Sequence, residues 1–246
     1  MKNIIKTIFL AFCISTSTIS NGATIIAPGA AATTEGDEYN VYPFSLYPDG
    51  YYQQLYDASL FSGQSGVIDQ IQFRLDGDAI GATFDSAHNI EVRLSHTSIT
   101  PDTMSTTFSN NVGSDETIVF SDYIRFSSSY TSGVNPFDIV IDINNIFTYN
   151  GYDNLLLQIK HSRDTACIGC SPAWLDAVSS SFEGGSLMQR VWSNDLNATV
   201  GYSAEPRGLV TSFVINPVPV PAAIWLFISG ALGLTYFARH KNLYDN

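Results

Sequence analysis

Cysteine is scarce in this chain, and so are cations. Three cysteines occur in 246 residues, and only Cys167 and Cys170 lie beyond the first two dozen. Two cysteines cannot build the multi-bridge framework of a small secreted scaffold. Between Thr24 and Val218 seven basic residues face 22 acidic ones, a net charge of −15. No Lys/Arg cluster survives in that span, which excludes the electrostatic footprint of a nucleic-acid binder. A sustained apolar period of 3.6 is missing there too, so amphipathic helices are not expected. The chain also has no Gly-x-Ser-x-Gly elbow, no His-Glu-x-x-His and no phosphate loop. No fixed-period repeat divides it.

What the span does contain is alternation. In "VIDQIQFRL", Val67, Ile71, Phe73 and Leu75 fall on one face and Gln70, Gln72 and Arg74 on the other. "NIEVRLS" sets Ile90, Val92 and Leu94 against Glu91, Arg93 and Ser95. "ETIVF", "FDIVIDI", "NLLLQIK" and "GLVTSFVI" repeat the pattern, grouping Ile139 with Ile141 and Ile143, and Leu155 with Leu157 and Ile159. Period two is the signature of half-buried strands. Turn formers separate the runs in "DGDAIG", "SNNVGSDE", "YNGYDN" and "FEGGS". The expectation is all-β: a single antiparallel β-sandwich over 24–216, jelly-roll-like, with roughly eight to ten strands. "TTEGDEYN" reads as an exposed loop after a first strand, "TIIA".

Both ends differ from this body. Residues 1–23 place Lys2 and Lys6 before the apolar stretch Ile8 to Ile14, followed by small polar residues. That order is a secretory signal peptide, its apolar part a short helix, with cleavage near Gly22 or Ala23. Phe12 directly before Cys13 argues against lipidation. At the other end, Pro217, Pro219 and Pro221 form a stiff tether that no helix can absorb. Residues 222–238, Ala222 to Ala238, carry no charge and read as a transmembrane helix at the short end of the spanning range. Trp225 and Tyr236 stand near its two ends, where amphipathic rings suit the interfaces. Arg239 and Lys241 open the basic tail 239–246 and belong on the cytoplasmic side, leaving the body outside. The leader and the basic tail agree on this topology.

The tail features, in this order, resemble the PEP-CTERM sorting signal. Pro219-Val220-Pro221 takes the place of the family's Pro-Glu-Pro, and "AAIWLF" opens the helix as in its VPxPA-type variant. The body is also similar to exported proteins with such tails, through "YYQQLYDASLF", "VRLSHTS", "FSNNVGSDETIVFS" and "FTYNGYDNLLLQI". The resemblance implies an exosortase-type membrane enzyme as a transient partner and 217–221 as tether and sorting motif. It implies inner-membrane anchoring of the precursor, then a place at the cell surface or in the extracellular matrix. It associates the chain with exopolysaccharide and biofilm, and it brings no active site.

The remaining candidates are weaker. Cys167 and Cys170, in "CIGC", fit a local disulfide, half of a zinc site or a redox motif, the disulfide suiting an exported chain best. His161, Asp164 and Cys167 are close in sequence, which counts little toward a hydrolase because folds assemble such pairs. His88 and His96 flank a strand and are placed on its turns. Asp76 and Asp78 offer carboxylates beside glycines without EF-hand spacing. Asn197 begins a chance glycosylation sequon. The aromatic run of Tyr39, Tyr42, Phe44, Tyr47, Tyr51, Tyr52 and Tyr56 offers two readings, core packing or a sugar-stacking face at Tyr51, Tyr52 and Tyr56. No cofactor, no metal and no catalytic residue is expected; the chain reads as a non-enzymatic structural or adhesive protein, with a carbohydrate-binding module acting on matrix polysaccharide as the alternative.

Overall fold

The computed structural model describes residues 22–44, 48–77, 83–129, 132–163 and 174–218. The predicted leader through residue 21, the sorting motif Pro219-Val220-Pro221, the span 222–238, the tail 239–246 and the Cys167/Cys170 pair lie outside these residues. Fourteen strands run through the described chain. They are β1 (Ala23–Ala27), β2 (Glu38–Asn40), β3 (Asp49–Tyr56), β4 (Gly66–Phe73), β5 (Thr83–Thr97), β6 (Thr117–Ser129) and β7 (Ile139–Asp142). Then follow β8 (Thr148–Tyr149), β9 (Asn154–Arg163), β10 (Leu175–Val178), β11 (Met188–Ser193), β12 (Ala204–Glu205), β13 (Gly208–Leu209) and β14 (Thr211–Asn216). The only helical pieces among the described residues are single 3-10 turns of three or four residues. None is long and apolar enough to cross a membrane. The chain is all-β.

Every registered strand pair is antiparallel. One sheet has the order β1-β14-β4-β7, with β8 also on β4; a second has the order β12-β11-β3-β9-β5-β6; a small third joins β13, β10 and β2. β3 and β5 belong to the six-stranded sheet while β4, between them in sequence, belongs to the other, so the chain crosses back and forth between the two large sheets. Their inner faces share one core. Ile71, Phe73, Ile139, Ile141, Phe213 and Ile215 from one meet Tyr52, Tyr56, Ile90, Val92, Leu157 and Ile159 from the other. Tyr56 spans the gap: its ring meets Phe213 edge-on at 5.1 Å, and its hydroxyl pairs with Thr211 Oγ1 at 2.7 Å. Each such fully buried side chain contributes about 1.5–3 kcal/mol by its removal from water.

The predicted inward rows of β5 and β9 hold: Ile90, Val92, Leu94, Leu155, Leu157 and Ile159 are all buried. β4 departs from its prediction. Residue Asp69 has no partner between the pairs Val214↔Gln70 and Ile215↔Ile68, a β-bulge. The extra residue reverses the alternation, so Ile68 enters the core and Val67 does not. Arg74, assigned to the polar face, is also buried. Its guanidinium binds Asp176 of β10 at 2.6 Å and the Thr34 carbonyl at 2.8 Å, and lies over the Phe137 ring. The Asp176 carboxylate accepts the Gly36 N–H at 2.9 Å as well. Burial pushes this carboxyl up to about 6, against the downward pull of Arg74. The expected exposed loop after β1 holds a strand instead: β2 pairs with β10, and Asn40 at its end is buried, its Oδ1 accepting the Tyr42 N–H.

β1 and β14 pair along their whole length, Ala23 opposite Ile215 and Ala27 opposite Thr211. The described body therefore starts and stops at neighbouring positions on one sheet.

Candidate functional site

The outer face of the six-stranded sheet is graded from apolar to polar, and its register shows how. Leu55 and Leu156 form an apolar row on adjacent strands. The β5–β6 connection folds over them, burying Met104 and Phe108 in a satellite cluster with Tyr51 and Val191. The next row holds Gln53, Gln158 and Arg93 on β3, β9 and β5. This row is polar and satisfied, covered at Gln53 and Gln158 and half-buried at Arg93. Gln53 Nε2 donates to Gln158 Oε1 at 2.9 Å and to the Phe108 carbonyl at 3.1 Å. Asn111 donates back to Gln53 Oε1 at 2.9 Å. Glu116 accepts from Gln158 Nε2 and from Arg93, each at 2.7 Å, and Arg93 also binds Glu91 at 2.8 Å. Amides suit such a row because each carries both donors and acceptors.

The last two rows are open except at Tyr51, which Phe108 covers. One runs Tyr51, Lys160, Glu91, Ser121 across β3, β9, β5 and β6; the other runs Asp49, Ser162, Asn89, Tyr123. A hollow of about 530 Å3 lies over them, lined by Asn89, Glu91, Tyr123, Lys160 and Asn197 among others. Beside it is a more apolar hollow of about 440 Å3, lined by Tyr51, Phe108, Val112, Glu116 and Thr199. The Arg93–Glu116 ion pair and the Lys160–Tyr51 contact connect them, and the 196–199 segment borders both. Together they form a trough across four strands.

No family model matches the chain, and neither does any curated protein or solved structure.

The predicted sugar-stacking tyrosines do not present a face to solvent. Tyr52 and Tyr56 point into the core, Tyr52 donating to Gln54 Oε1. Tyr51 is on the outer face but only 8% exposed. Phe108 stacks on its ring at 4.0 Å, the Lys160 ammonium lies 4.6 Å from its centroid, and its hydroxyl donates to Gln158 Oε1 at 2.6 Å. Burial pushes that hydroxyl up to about 12. Tyr51, Tyr52 and Tyr56 are packing, for a plain reason: β3 lies between β9 and β11 and is covered on both faces. Among the described residues the tyrosines that reach solvent are Tyr39, Tyr123, Tyr152 and Tyr202. Tyr39 stacks on Trp174 at 4.9 Å.

His88, His96 and His161 lie within strands, so His88 and His96 are not on turns. His96 is held at both nitrogens: Nδ1 meets Asp115 Oδ2 at 2.5 Å and Nε2 accepts the Asn150 N–H at 3.0 Å. That fixes its tautomer and leaves it no free basic nitrogen. His88 and His161 are buried side by side, rings 5.5 Å apart, under Phe44 and Phe126. His88 Nε2 meets Ser86 Oγ at 2.8 Å; His88 Nδ1 and both nitrogens of His161 have no partner. Burial holds both imidazoles neutral, His88 down to about 3 and His161 down to about 4, with Arg163 adding to each and His161 adding to His88. A serine–histidine contact this deep has no orienting carboxylate and no route for substrate, so it builds no nucleophile. Asp164, Cys167 and Asp78 lie outside the described residues. Asp76 is buried and its N–H donates to the Trp174 carbonyl. Among the described residues no three metal-ligating side chains gather.

Proposed function

We propose that this chain is an exported, non-enzymatic protein, sorted by a PEP-CTERM-type tail to the cell surface or extracellular matrix. Its body is a jelly-roll-like sandwich with a structural or adhesive role in an exopolysaccharide-rich layer. The tail carries this reading. Three prolines, an uncharged segment with interfacial Trp225 and Tyr236, then Arg239 and Lys241 follow one another in the order that a membrane-held sorting signal requires. The fold supports it in one respect. Among the described residues β1 begins at Ala23, where the leader is expected to be cleaved, and β14 ends at Asn216, directly before the Pro217 tether. An exosortase-type enzyme in the inner membrane would meet Pro219-Val220-Pro221 close to the bilayer and release the body there. Pro219→Ala with Pro221→Ala, expressed in an exporting bacterial host, tests the sorting step. The expected result is a precursor of larger mass that stays in the membrane fraction; a mature form of unchanged mass and location overturns it.

The second reading, binding of matrix polysaccharide, is favoured by the trough on the six-stranded sheet. Its candidate surface moves from Tyr51, Tyr52 and Tyr56 to the two open rows beside them. A hydroxyl-rich polymer needs planar polar groups and an accessible ring, and Asn89, Glu91, Lys160 and Tyr123 supply them.

A further inference from the structure

We infer that the trough binds one uncharged polysaccharide chain, laid across β6, β5, β9 and β3 with Tyr123 at one end and the Tyr51/Phe108 hollow at the other; this rests on the polysaccharide reading above. Three observations fix the ligand class. The first is extent. Four strands separated by three gaps of ~4.8 Å span about 14 Å, more than a single pyranose needs, and the two hollows adjoin through the Arg93–Glu116 pair and the Lys160–Tyr51 contact. An extended polymer fits such a run better than a compact small molecule.

The second is the lining. Tyr123 is 51% exposed on β6 and its ring borders the polar hollow. A half-exposed tyrosine ring covers the apolar C–H side of a sugar at little entropic cost. Asn89, Ser121, Ser162 and Asn197 surround the same hollow with neutral donors and acceptors. Beyond the ridge, Val112, Ala198 and the Phe108 edge offer apolar contact.

The third is charge. Arg93 is consumed by Glu91 and Glu116. Lys160 makes no ion pair among the described residues and lies over Tyr51. Asp122 is also in the lining, so the trough as a whole is close to neutral, on a body whose net charge is −15. A polyanion would be repelled by that field on approach. An uncharged chain would not, and Lys160 can donate to its hydroxyls.

The test is affinity electrophoresis of the full-length chain through gels holding one polymer each: dextran, laminarin, xyloglucan and galactomannan as neutral probes, alginate and polygalacturonate as acidic ones. The expected result is retardation by at least one neutral polymer, unchanged by moderate salt. Tyr123→Ala and Lys160→Ala should each weaken it about tenfold, while Tyr152→Ala, an exposed tyrosine on the β8–β9 turn, leaves it unchanged. Circular dichroism on each variant shows that the fold is kept. Retardation only by the acidic polymers overturns the ligand class. Retardation by a neutral polymer that Tyr123→Ala and Lys160→Ala leave intact overturns the site and spares the polysaccharide reading. No retardation of the folded wild-type chain by any polymer overturns both.

Discussion

The buried histidine pair makes this fold acid-sensitive, and the size of the effect follows from its position. His88 and His161 lie opposite Arg163 and Ile90 in the β5–β9 ladder, buried and with no carboxylate partner among the described residues. The folded imidazoles titrate near 3 and near 4, while in the unfolded chain both return to the ordinary value near 6.5. At pH 7 neither state holds these protons and the stability is full. As the pH falls through 6.5 the unfolded chain takes up protons that the folded chain refuses, so stability drops and keeps dropping toward pH 4. From pH 7 to pH 5 each site costs about 2 kcal/mol, at 1.36 kcal/mol per pH unit below 6.5. The pair together costs about 4 kcal/mol over that interval. Asp176 acts in the opposite sense. Its folded carboxyl, raised to about 6, takes up a proton before the unfolded one does and restores about 1 kcal/mol. Urea unfolding at pH 7 and pH 5 should therefore show a net loss near 3 kcal/mol in the wild type and near 1 kcal/mol in His161→Leu. A flat wild-type profile, or a His161→Leu slope equal to the wild type, refutes the account of a neutral, desolvated pair.

Other perturbations separate the remaining contributions. Arg74→Ala leaves Asp176 buried and unpaired and should cost about 3–5 kcal/mol at pH 7 by chemical denaturation, whereas Arg125→Ala, which breaks the solvent-screened pair with Asp85, should leave the unfolding midpoint where it is. Phe213→Ala empties the contact between the two large sheets and should cost about 3–5 kcal/mol, read as a fall in melting temperature. Gln158→Ala strands the amide of Gln53 and a Glu116 oxygen and should cost about 1–3 kcal/mol, with faster hydrogen exchange over 105–116 as its local signature. Equal exchange in wild type and variant would show that the covered polar row does not hold that connection down.

The sequence is most legible where a strand has one wet face. β5 and β9 alternate because their outer side chains, Glu91, Arg93, Lys160 and Ser162, border the open trough, and their inner rows could be read directly. β3 was hidden by the opposite condition. A strand covered on both faces has no alternation to show, so "DGYYQQLY" looks like an aromatic cluster rather than the middle of a sheet. The Asp69 bulge shifts the pattern by one residue and sends Ile68 inward, a change that no local propensity announces. Arg74 reads as a surface residue because the group that neutralises it, Asp176, is 102 residues further along. The trough has the same character. Each of its side chains reads as an ordinary polar face, and only the order β3-β9-β5-β6 makes them neighbours.

The pairing of β14 with β1 and β4 has a mechanical consequence. A pull on the body through Val218 enters β14 at Asn216, the end nearest Ala23 and Val67. A load directed along β14 must shear the hydrogen bonds on both its edges together, instead of unzipping them one by one. A strand clamped between two neighbours in this way is a good place to attach a leash.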